Sequence, residues 1–88
     1  MDEIERKRIQ EIQQLRKNCE SFSKTIEKHL KNKKPNDANT TYQDFVRYWQ
    51  KINKDKEITF VLGKESKILV ATDNYLRSLF NKHKVKIV

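Results

Sequence analysis

Apolar residues recur through the first third of the chain at Ile4, Ile9, Ile12, Leu15, Cys19, Phe22, Ile26 and Leu30. From Ile12 to Ile26 the steps are three, four, three and four, which keeps one stripe on one side of a helix. Gly and Pro are absent from this stretch. Asp2 and Glu5 fit a capping-box-like start, and Glu3–Lys7 and Glu20–Lys24 are Glu-before-Lys pairs at helical spacing. The pattern predicts one long helix over residues 2–33. Arg8 and His29 interrupt the stripe, leaving about two clean heptads, fewer than a confident coiled coil shows.

The pattern breaks at residues 31–40, where Pro35 disfavours helix in the residue before it and an Asn/Asp cluster favours turns. A polar hinge is expected there, centred on residues 35–40. It separates an amphipathic helix (1–34) from a small body (41–88). Tyr42, Phe45, Val46, Trp49 and Ile52 then define the apolar face of a second helix over 41–53, with Thr40 and Gln43 as its capping box. Residues 58–62 (Ile-Thr-Phe-Val-Leu) and 67–71 (Lys-Ile-Leu-Val-Ala) are largely apolar and β-branched, and 63–66 supply a loop containing Gly63. A β-hairpin is expected. Thr72 or Asp73 can cap a third helix to about residue 83, with Tyr75, Leu76, Leu79 and Phe80 on its apolar face. The alternation of Lys84-Val-Lys-Ile-Val88 suggests a short strand. The expected fold class is α+β, in the order α-α-β-β-α-β.

Composition narrows the functional classes. Eighty-eight residues make one small domain, too small for a deep enclosed enzyme pocket. No apolar run approaches the roughly 18 residues of a membrane span, and the first residues lack a signal-peptide core, so an intracellular location is expected. The chain could also be a fragment whose last strand continues in a longer parent. Cys19 is the single cysteine, and His29 and His83 sit on separate elements, so no disulfide framework, metal site or cofactor is expected. A lone glycine cannot build a phosphate-cradling loop.

The charge is +8, and 36% of the residues are charged. Lys28, Lys31, Lys33 and Lys34 form one acid-free basic segment, and Arg77, Lys82, Lys84 and Lys86 form another. Lysine is a hydrated point charge, without the planar fork with which arginine reads guanine. These eight residues are therefore the expected contacts to the backbone of DNA or RNA, without base reading. A purely solubilising role for the same charges carries comparable weight. Tyr48 lies beside Arg47 and Lys51, where it could stack on a base, although the rim of a packed helix is the preferred reading.

The first helix outruns a body of some fifty residues. A seam of Ile12, Leu15, Cys19, Phe22 and Ile26 is therefore expected to meet a second copy or a partner protein. The leading expectation is a basic, non-catalytic nucleic-acid-binding module that oligomerises through helix 1. A protein-interaction adaptor, or small subunit of a larger complex, follows closely. A metal-free ribonuclease or toxin-like protein comes third, using Lys82, His83 and Lys84 with Tyr75 or Arg77.

Overall fold

A computed structural model describes residues 3–55 and 63–88, which form three helices: α1 (Glu3–Lys31), α2 (Pro35–Asp55) and α3 (Gly63–Lys82). No strand occurs among the described residues, so the α+β expectation is overturned. Residues 67–71, expected as the second hairpin strand, are a turn of α3. The expected first strand, 58–62, lies outside the described residues.

The misreading of 67–71 has a physical cause. A five-residue apolar run cannot distinguish strand from helix by its own period. Continued to residue 80, the burial is helical: Glu65, Leu69, Leu76 and Phe80 are buried, with Ile68, Thr72 and Leu79 half-buried between them, while Val70 is 46% exposed. Thr72 and Asp73 lie inside this helix instead of capping it. The Thr72 hydroxyl donates to the carbonyl of Ile68.

The polar segment 35–40 is likewise helical. Pro35 takes the first position of α2, where a missing N–H costs nothing and its fixed φ suits the helix. The carbonyl of Lys34 accepts from the Ala38 N–H at 3.0 Å. The chain reverses instead over Asn32–Lys34. Ala38, fully buried, lies four residues before Tyr42 and extends the α2 face by one turn.

α1 and α3 run parallel, and α2 runs antiparallel to both. α1 packs along each of the others, while α2 and α3 approach less closely and are bridged by long side chains. The core consists of Leu15, Cys19, Ile26 and Leu30 from α1, Ala38, Tyr42 and Phe45 from α2, and Leu69, Leu76 and Phe80 from α3. Phe22 meets Phe45 edge-on at 5.7 Å, and Tyr42 meets Phe80 in the same way at 5.7 Å. Aromatic contacts therefore tie α2 to both partners. The molecule is 47 Å long, close to the roughly 44 Å of a 29-residue helix. α2 and α3, of 21 and 20 residues, each run about 30 Å and so flank most of α1 but not all of it.

One polar network links α2 to α3 at the edge of the core. The Tyr42 hydroxyl donates to Asp73 Oδ1 at 2.6 Å, and Arg77 Nε donates to Asp73 Oδ2 at 2.9 Å. Burial, then the hydrogen bond to Asp73, raises the Tyr42 phenol above its ordinary value. Burial also pushes the Cys19 thiol up, against a smaller opposing effect from Thr72. Both groups keep their protons in the folded chain at a pH where the unfolded chain has lost them. Their contribution to stability is present below the ordinary Cys and Tyr values and lost as pH rises past about 9 to 10.

Two outcomes follow. Phe45 is completely buried, so Phe45→Ala should cost about 3–5 kcal/mol, read as a lower denaturation midpoint by helical circular dichroism. Tyr42→Phe should cost about 1–2 kcal/mol at neutral pH. Combined with Cys19→Ala, it should flatten the alkaline fall in stability relative to the unaltered chain. An unchanged alkaline limb would show that neither proton is held by the fold.

Candidate nucleic-acid interface

Because α1 and α3 are parallel, their C-termini share one end of the bundle with the start of α2. The two basic segments, fifty residues apart in sequence, meet there. Lys28, Lys33, Lys34, Lys82, Lys84 and Lys86 are all exposed and make no ion pair among the described residues. Lys31 is also exposed but lies 3.3 Å from Glu27. Arg77 is committed to Asp73, part of the network that bridges α2 and α3. Seven of the eight expected contacts are thus gathered at this end, six of them without an ion-pair partner, while Arg77 serves the fold.

The local backbone explains how the lysines are presented. Both helices finish in a Schellman turn. Lys34 N donates to His29 O at 2.8 Å and Lys33 N to Leu30 O at 3.2 Å; Val85 N donates to Phe80 O at 2.9 Å and Lys84 N to Asn81 O at 3.0 Å. The left-handed residue in each turn is a lysine, Lys33 or Lys84, with φ of 56° in both. Glycine is usual there, and a side chain with a Cβ costs about 1 kcal/mol. A cation near a helix C-terminus returns about 0.3–1 kcal/mol through the helix dipole, but Lys28, Lys31 and Lys82 already stand in the last turns. For folding alone, Lys33 and Lys84 have little advantage over glycine.

After α3 the chain runs extended over 85–88. The expected strand does not form, but its period-two pattern is present: Val85 and Ile87 are half-buried against the core, and Lys84, Lys86 and Val88 are exposed. The pairing partner is a helix. Asn39 Nδ2 donates to Lys86 O at 3.0 Å, Asn39 Oδ1 accepts from Val88 N at 2.9 Å, and Gln43 Nε2 donates to Val88 O at 2.8 Å. These two amides hold Lys86 at the basic end; Asn39 was expected only as part of a turn-forming cluster and Gln43 as a capping-box residue, whereas α2 already begins at Pro35 and both lie inside it. The available signal was an Asn and a Gln four residues apart on an outer helix face, opposite an alternating tail.

The seam residues have a different fate. Leu15, Cys19 and Ile26 are buried within one chain, and Ile12 and Phe22 are half-buried. The cover that a second copy was expected to give them comes from α2 and α3. Tyr48 is on the rim: its hydroxyl accepts from Asn18 Nδ2 at 2.9 Å and its ring lies 5.7 Å from Phe22. The residues of the ribonuclease reading do not converge. Tyr75 on α3 and His83 in the turn just past its end are eight positions apart, about 12 Å along the helix direction, and Arg77 is held by Asp73.

Elsewhere, a groove between α1 and α3 runs past Ile9, Ile12, Arg16, Lys67, Ile68 and Tyr75. Ile9 and Tyr75 are nearly half exposed there, at 46% and 47%. Glu65, buried in the first turn of α3, sits where the helix dipole favours a negative charge. Among the described residues no three His, Cys, Asp or Glu side chains gather as a metal site, and no helix is long and apolar enough to cross a membrane. No protein-family model, curated protein or solved structure matches this chain.

Proposed function

We propose that this chain is a small, non-catalytic nucleic-acid-binding module that contacts the phosphate backbone through its basic end. The observation that carries this reading is the convergence of Lys28, Lys33, Lys34, Lys82, Lys84 and Lys86, exposed and without ion-pair partners among the described residues. A cluster of lysines raises the local concentration of a polyanion and releases its counterions on binding. Lysine is a hydrated point charge without the planar fork of arginine, which favours phosphate contact over the reading of base edges. An intracellular location belongs to the same reading.

A second reading, a protein-interaction adaptor, has separate support in the α1–α3 groove. Its apolar floor, with Ile9, Ile68 and Tyr75, is flanked by Arg16 and Lys67, neither in an ion pair among the described residues. That chemistry suits an amphipathic helix with acidic flanks. The charge of +8 disfavours a second copy as the occupant.

The deciding measurement is fluorescence anisotropy with labelled duplex DNA, single-stranded DNA and RNA across a salt series. If the basic end engages about five phosphates, log Kd should change with log salt by about four to five. Lys28→Gln with Lys86→Gln should weaken all three nucleic acids alike. Absence of binding at low salt removes this function and leaves the adaptor reading. Equal affinity for vesicles of anionic phospholipid would also count against it.

A further inference from the structure

The two helix ends that form the basic surface are copies of one device. Lys31, Asn32 and Lys33 close α1, and Lys82, His83 and Lys84 close α3, in the same register of the same turn. In each, the second lysine adopts the left-handed conformation, φ 56°, that glycine would take without strain. The only glycine in the chain is used elsewhere, at Gly63. Both left-handed lysines are exposed and neither has an ion-pair partner among the described residues. Their backbones are held by paired hydrogen bonds, so each ammonium extends from a fixed turn and not from a loose tail.

We infer that Lys33 and Lys84 are twin phosphate contacts, making the parallel ends of α1 and α3 a two-pronged grip on a nucleic-acid backbone. This deepens the nucleic-acid reading and rests on it. Residues held in a sparsely populated backbone conformation concentrate at functional sites, where the surroundings over-determine them. The same strain at two equivalent positions on one surface, both times with lysine, is accounted for by a ligand outside the fold. Asn39 completes the surface by fixing Lys86 beside Lys84.

The test separates folding from binding. Lys33→Gly, Lys84→Gly and the double variant are compared with Lys54→Gln, which removes a charge at the opposite end of the bundle. Thermal unfolding and anisotropy with a labelled DNA duplex are measured on each. The double variant should melt a few degrees higher, bind about tenfold more weakly, and have a salt slope smaller by about two. Lys54→Gln should leave the slope nearly unchanged. Three results would overturn the inference: a stabilised double variant with unchanged affinity and slope, a double variant that melts lower, or an equal loss of affinity in Lys54→Gln. If the unaltered chain does not bind the duplex at low salt, the nucleic-acid reading itself has failed. That outcome is distinct from failure of the twin contacts alone.

Discussion

Tyr42 is the point at which the three helices become one structure. Its ring is held between Phe45 on its own helix and Phe80 on α3, and its hydroxyl reaches Asp73. α2 and α3 otherwise approach each other only loosely, so this side chain supplies much of what closes the bundle on the side away from α1. The closure matters because the stripe of α1 needs two partners. Leu15, Cys19, Ile26 and Leu30 cannot be dry against one helix alone. Once α3 is tied to α2 through Tyr42 and Asp73, both flank the stripe, and the C-termini of α1 and α3 are brought side by side. The basic end is a consequence of that arrangement.

The long stripe of α1 and the apolar face of α2 were readable because their periods persist over several turns. Where a period was short, reading failed. Residues 67–71 contain too few positions to distinguish 2.0 from 3.6. Their helical character emerges only through Leu76, Leu79 and Phe80, farther along the same face. Pro35 was ambiguous in another way, since proline is equally at home ending a helix and beginning one. Both misreadings shortened the expected body, and a short body made α1 seem to need a second copy. The tail shows the reverse case. Its alternation was a true sign of extended backbone with one buried face, but alternation cannot say whether the neighbour is a strand or a row of amides.

Of the site, the lysines were legible and their assembly was not. Two acid-free segments can be seen in the sequence. That they meet depends on helix direction, which follows from the number of chain reversals. Two helices, α2 and α3, carry the chain from one segment to the other and so return it to the same end; an odd number of elements would have left the segments at opposite ends. Arg77 illustrates the limit of counting charge: in sequence it resembles its basic neighbours, yet its guanidinium is bound to the carboxylate beneath Tyr42. Asn39 and Gln43 carry no charge, and the capping-box spacing of Gln43 pointed to a helix start and not to the docked tail that both amides hold.

The docked tail has a consequence for what substitution can do at this end. Asn39 and Gln43 contact only main-chain atoms of residues 86 and 88, so recognition of the segment is independent of its outward side chains. Val85 and Ile87 must stay apolar to fill their half-buried places, and position 84 must tolerate a positive φ, but positions 86 and 88 can change without loosening the attachment. The fold thus provides a fixed rail on which surface charge can be varied from one sequence to another while the helices beneath stay the same.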